Sequence, residues 1–224
     1  RKRFLLSISL RIDYYFENHH HIIFCKFFNS IINRKNYKPI FYIIKMKDIA
    51  IVYMSAGMSS RFLGKIKQFA KITDNETLIE YSLKQSLSAG FTKIIFIIRE
   101  KTELAFKEKF GNNYNGIPVY YAKQSFNSNE RDKPWGTCDA ICSAEHLLDC
   151  PFVVCNGDDL YGENTFKILF NHLNTSNENE EATIGFKLIN TLNNNIPGNR
   201  GIFDIENNYV QKFNEVYNIQ KSDF

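Results

Sequence analysis

The sequence predicts a three-layer α/β/α sandwich around a mostly parallel, mixed sheet. Two observations carry this. Short apolar runs rich in β-branched residues alternate with helix-period segments from about residue 49 to 175, and strand signals dominate afterwards. The first runs also lack polar alternation, as strands covered on both faces do. A chain of 224 residues, 44% hydrophobic and 23% charged, is enough for one domain or at most two. It contains no run of eighteen apolar residues, which argues against a spanning helix.

The elements follow in order. Residues 49–54 (IAIVYM) read as a buried strand, and 55–64, small and bearing Gly and Ser, as a loop. In 77–89, Leu78, Ile79, Leu83 and Leu87 stand at helical spacing, with Gly90 as the stop. Residues 93–98 (KIIFII) are a second buried strand, and 102–110 a helix followed by Gly111. A short strand is predicted at 118–122, a helix at 136–148 and a fourth strand at 151–155 (PFVVC). A helix at 163–173 and a strand at 182–189 come next. Residues 201–205 and 209–213 bracket Asn207-Asn208, a hairpin turn signal. Right-handed crossovers then put helices on both faces, and ligands bind at the carboxyl ends of the strands.

Charge is unevenly placed. Residues 1–46 hold nine Lys/Arg against two Asp/Glu, whereas 47–224 hold nineteen against twenty-two. The mildly acidic main segment argues against nucleic-acid partners. The first 46 residues are basic, aromatic and Asn-rich, and carry His19, His20 and His21 in a row. They match neither a secretory signal nor an organelle presequence well, and Met46 precedes the first strand. We read them as an extension outside the fold, expected not to be native coding sequence. The partial catalytic domain is expected over 47–224. The five cysteines form no CxxC pair or zinc-finger spacing, which points to a reducing, cytoplasmic compartment. Four of them, beside apolar runs, are expected to be buried small hydrophobes.

Three clusters carry chemistry. The first runs Ser55-Ala56-Gly57-Met58-Ser59-Ser60-Arg61, then Lys65, Lys67 and Gln68. Small residues directly after a strand let backbone N–H groups approach a phosphate, and Arg61 and Lys67 can hold the same polyphosphate. Neither the Walker pattern nor the dinucleotide GxGxxG is present, and a plain strand-to-helix loop with solvated cations reads equally well. The second cluster is Asn156-Gly157-Asp158-Asp159, ending the PFVVC strand. Two adjacent carboxylates there suit Mg²⁺, which takes one or two carboxylates plus phosphate oxygens. An Asp-rich turn is the plainer alternative. The third is Lys133-Pro134-Trp135-Gly136-Thr137, entering a helix, with Gln124 at the end of the third strand. Gly136 and Thr137 offer backbone donors and the Gln124 amide can read a base edge, or Thr137 merely caps its helix.

Taken together in this order, AGMSSR (56–61), the KQ at 67–68, Gln124, WGTCDA (135–140) and NGDDLYG (156–162) resemble the sugar-phosphate nucleotidyltransferases with a glycosyltransferase-A-like fold. The resemblance covers roughly residues 48–216 and is nearest to bacterial-type members with a KPWGT segment. It departs at Ser59, where the family usually has Gly, and at the missing Pro before the signature Lys. Family members also usually run longer, so the domain is expected to be C-terminally partial. The resemblance implies condensation of an NTP with a sugar-1-phosphate, releasing pyrophosphate, with Mg²⁺ as cofactor. It implies Arg61 on the leaving β/γ-phosphates, Lys67 bridging attacking and α-phosphate oxygens, and Asp158 on the metal. Ala56, Gly57 and Ser59 would contact the nucleotide, and Gln124, Gly136 and Thr137 the base and ribose. Asp159, Gly201 and Glu215 match the sugar side, and Tyr161 would line it or simply pack. The rival readings are a glycosyltransferase using a ready-made nucleotide-sugar and a non-catalytic nucleotide-binding regulatory fragment. The sequence leaves open whether the chain forms a homo-oligomer.

Overall fold

A computed structural model describes residues 48–57, 66–126, 129, 134–176, 181–193 and 196–224. They fall into two compact units, one over 48–176 and one over 181–224. The basic extension, with Cys25 and the His run, lies outside the described residues, as do Ser59, Arg61, Lys65 and Lys133.

The first unit is built on β1 (Ala50–Met54), β2 (Lys93–Ile98), β3 (Asn113–Tyr114), β4 (Ile117–Lys123) and β5 (Phe152–Asn156), in the order β3-β4-β2-β1-β5. The pairs β4–β2, β2–β1 and β1–β5 are parallel; only the two-residue β3 runs antiparallel, against β4. Between them lie α1 (Leu78–Ala89), α2 (Glu100–Phe110), α3 (Thr137–Ser143) and, after β5, α4 (Glu163–Thr175).

The period of two along each strand sorts the core into two layers. On one face, the Tyr53 hydroxyl meets Ser82 and Ser86 of α1, and Phe96 packs on Phe106 and Phe110 of α2. The Phe91 ring, just before β2, joins Phe166 and Phe170 of α4 to this face. On the other face, Ala50, Val52, Met54, Ile95, Ile97, Ala122 and Phe152 pack with Ala140 and Ala144 around α3. Each fully buried Ile or Phe contributes about 1.5–3 kcal/mol of apolar burial. The predicted three-layer arrangement is therefore the one observed. The order β1→β2→β4 moves one way with α1 and α2 on one face. The chain then returns to β5 with α3 on the other, as right-handed crossovers require.

Several boundaries differ from expectation. The helix expected over 136–148 stops at Ser143, whose Oγ bonds back to Ala140 O at 2.6 Å. A 3₁₀ turn, Glu145–Leu147, replaces the rest. The helix expected from 102 begins at Glu100, because Thr102 Oγ1 accepts the Arg99 N–H and so caps the turn before it. The cysteine expectation holds only in part. Cys155 is buried, Cys138 and Cys150 are half-buried, and Cys142 is exposed on α3. All four are free thiols.

In the second unit the strand predicted over 182–189 does not form. One bridge residue, 186, precedes the short helix α5 (Leu188–Thr191). The alternation of Ile184, Phe186 and Leu188 suggests a strand, but Leu188 and Leu192, four apart, bury together against Ile219. The hairpin does form, longer than expected: β6 (Gly198–Glu206) and β7 (Tyr209–Ile219) pair antiparallel. Its turn residues Asn207 and Asn208 have φ of 50° and 69°, the left-handed pair of a type I′ turn. Arg200, 6% exposed, clamps α5 to the hairpin: its guanidinium donates to Thr191 Oγ1, Thr191 O and Asn199 O. Among the described residues no helix is long and apolar enough to cross a membrane.

Candidate functional site

The strand order reverses at β1: the chain runs β1→β2→β4 to one side and returns to β5 on the other. That reversal is the topological switch point where open α/β sheets bind ligands. The first two clusters meet there. Ser55 N donates to Ile97 O at 2.7 Å and Gly157 N to Met54 O at 3.0 Å, prolonging both ladders beyond the strands. The two loops press together at Gly157. A Cβ there would stand 2.2 Å from Ser55 Oγ and 3.2 Å from Gln68 Cγ, so any larger residue must displace the Ser55 hydroxyl. Ser55 is 2% exposed, and its Oγ is buried with no hydrogen-bond partner among the described residues.

Lys67 is delivered to this junction by a 3₁₀ turn, Lys67–Phe69. Phe69 anchors the turn against Phe106 at 4.8 Å and Phe110 at 6.2 Å, and Gln68 is buried beside Gly157. Lys67 Nζ then reaches Asp158 Oδ2 at 2.5 Å. Asp159 faces elsewhere: its Oδ2 accepts Asn156 Nδ2 at 2.8 Å. The Tyr161 hydroxyl accepts the Asn156 N–H at 2.9 Å, its carbonyl accepts Thr165 Oγ1 at 2.6 Å, and its ring lies edge-on to Phe166. Tyr161 thus holds the Asp-bearing turn against α4. Beneath it, burial pushes the Cys155 thiol well above its ordinary pKa, with the Asp159 charge adding to the effect. A neutral thiol there is packing, not a nucleophile.

The third cluster occupies the same sheet end, two strands away. Gln124 N donates to Ile98 O at 2.9 Å, extending β4 against β2. Its side chain is 7% exposed, and Nε2 donates to Gly136 O at 3.0 Å and Asp139 Oδ2 at 2.8 Å. The amide nitrogen expected to read a base edge is thus occupied in tying down the start of α3. Gly136 has φ of 118°, and Thr137 begins the helix. Gly201 and Glu215 face one another across the β6–β7 hairpin of the second unit. Gly201 makes room for the Phe213 ring, and exposed Glu215 accepts the Tyr217 hydroxyl at 2.7 Å.

Four residues given no role from the sequence help build the site: Ser55, Gln68, Asn156 and Asp139. The first three border or belong to the quoted motifs, and Asp139 lies within WGTCDA; their roles depend on contacts between distant loops. Among the described residues no group of three or more His, Cys, Asp or Glu could hold a metal ion. Asp158 nevertheless fits a cation, since the Lys67 ammonium already stands on its carboxylate as one.

The Nucleotidyl transferase family model matches residues 53–196, from the end of β1 through both switch-point loops and α3. The chain belongs to this nucleotidyltransferase family, as its motif order implied. Among solved structures, it is similar to Rv0371c from Mycobacterium tuberculosis H37Rv, with 21% identity over 58% of this chain and 62% of that one, at TM-score 0.42. It is also similar to a UDP-glucose pyrophosphorylase from Acinetobacter baumannii, with 19% identity over 55% and 49%, at TM-score 0.40. A UTP-bound UGPase from Acinetobacter baumannii is similar at 22% identity over 58% and 54%, with TM-score 0.43. The match thus spans about half to three-fifths of the length of these proteins. No curated protein matches the chain by sequence.

Proposed function

We propose that this protein is a nucleotidyltransferase that condenses an NTP with a sugar-1-phosphate, releasing pyrophosphate and a nucleotide-sugar. The observation that carries the reading is the meeting of Lys67 and Asp158 at the switch point, inside the segment matched by the family. The reaction joins two phosphate-bearing partners, so the protein's task is positioning and charge neutralisation. Lys67 would bridge the attacking and α-phosphate oxygens. Ala56 and Gly57 offer backbone contacts to the nucleotide at the end of β1. Gln124 holds Gly136 O and the Asp139 carboxylate, and with Gly136 and Thr137 it would shape the base and ribose side. Asp158 would hold Mg²⁺, with substrate phosphates completing the coordination. The ion supplies charge neutralisation at the reacting phosphates. Asp159, fixed by Asn156, supports that turn or orients the sugar. Arg61, outside the described residues, is assigned to the leaving pyrophosphate. Gly201 and Glu215 are assigned to the sugar.

The test is pyrophosphate release by the full chain with Mg²⁺, across five NTPs and a panel of sugar-1-phosphates. Release that requires both one NTP and one sugar phosphate is the expected result. Nucleotide binding without release would favour the regulatory reading. Consumption of a nucleotide-sugar with no pyrophosphate formed would favour a glycosyltransferase.

A further inference from the structure

Resting on the reading above, we propose that Lys67 is the built-in counter-ion of Asp158. Its ammonium occupies the cation's place on that carboxylate until a phosphate draws it away. Three observations lead there. Nζ lies 2.5 Å from Oδ2, and the two side chains are 35% and 29% exposed, so the pair sits at the mouth of the crevice rather than sealed beneath it. Lys67 arrives on a short turn pinned by Phe69 and Gln68, so the fold itself delivers the ammonium. The neighbouring carboxylate, Asp159, is turned onto Asn156 and leaves Asp158 to face the lysine.

A divalent ion on Asp158 would sit about 2.0–2.1 Å from its oxygen. Two positive centres would then crowd one carboxylate within about 4 Å, and each weakens the other's binding. A bound phosphate gives Lys67 a further acceptor and draws it off Asp158. Anion and divalent cation therefore bind with positive coupling, transmitted by the lysine side chain. By linkage, that coupling is the same in either order of addition.

The experiment titrates the full chain with Mn²⁺ alone, following free Mn²⁺ by electron paramagnetic resonance. The native protein is expected to bind weakly. Lys67→Met and Lys67→Gln should each bind about tenfold more tightly, and Asp158→Asn should abolish the gain in both backgrounds. Two substitutions guard against one that merely fails to fold. No gain in either variant, or a gain that survives Asp158→Asn, overturns the counter-ion role. Binding of UTP, dTTP, CTP, ATP and GTP to the native chain with Mg²⁺ is measured in parallel by calorimetry. Nucleotide binding without the Mn²⁺ gain leaves the nucleotide reading standing and removes the counter-ion. The Mn²⁺ gain with no nucleotide bound overturns the nucleotide reading, and the phosphate's part in this proposal with it.

Discussion

Gly157 shows how closely the two halves of the site are fitted. Its Cα faces Ser55 Oγ, with no room for a methyl group between them. Gly157→Ala should lose about 1–3 kcal/mol of stability, measured by urea unfolding, and Ser55→Gly in the same chain should recover part of it. The recovery separates a local clash from a general intolerance of the turn. At Lys67 the expectation concerns rate. Lys67→Ala should lower kcat/KM for pyrophosphate release by about 10²–10³, with the urea midpoint nearly unchanged because this partly exposed ion pair adds little to stability. Undiminished activity would remove Lys67 from the mechanism. At this scale the sequence was informative about residue types and less so about pairings. Lys67 and Asp158 stand out in their motifs, but nothing in their spacing shows that they meet across 91 residues. The amide of Gln124 is a recogniser by residue type and a helix anchor by contact.

Among the elements, α2 supports the site from behind. Phe106, fully buried, packs on Phe69, Phe96 and Phe110. Phe106→Ala should cost about 3–5 kcal/mol, and Phe106→Leu less. Even the milder change should loosen the turn that carries Lys67 and lower pyrophosphate release more than it lowers nucleotide affinity. The α1–α2 contact adds a pH dependence. Burial raises the pKa of Glu80, but hydrogen bonds from Lys109 and from the Thr77 side chain and N–H outweigh it, so the folded value lies below the ordinary 4.5. The unfolded state therefore takes up the proton first. The stabilisation is complete above about pH 4.5 and is lost as pH falls through the lower folded value. Glu80→Gln should flatten the acid limb of the urea midpoint; an identical limb in both proteins would show that the pair is silent. The elements most legible in the sequence are those whose period is unambiguous. β2 and the C-terminal end of α1 fall where expected, since β2 is apolar throughout and Gly90 adopts the left-handed stop. Residues 182–189 were misread because their pattern suits a strand locally, whereas packing against Ile219 favours a helical turn.

For the whole molecule, the architecture followed from the order of runs alone, because handedness leaves few ways to wind strands and helices alternately. The antiparallel β3 was not anticipated: two residues are too short to leave a periodic signal. The described units should differ in local stability. β1 and β2 are buried along their entire lengths, whereas β7 is exposed along most of its own. Amide hydrogen exchange should therefore be slowest in β1 and β2 and much faster in β7, since a two-stranded hairpin is marginal by itself. Equal protection would show that the hairpin is covered in solution. The pairing of β1 with β5 has a consequence for biosynthesis. A chain growing from its N-terminus presents Lys67 long before Asp158 exists, and the loop between β1 and β5 is roughly a hundred residues, costly to close. Until β5 emerges and docks beside β1, the crevice proposed for the nucleotide does not exist. On that reading the pocket forms only after most of the sheet has been made, and a waiting nucleotide would then favour that last strand's seating over its release.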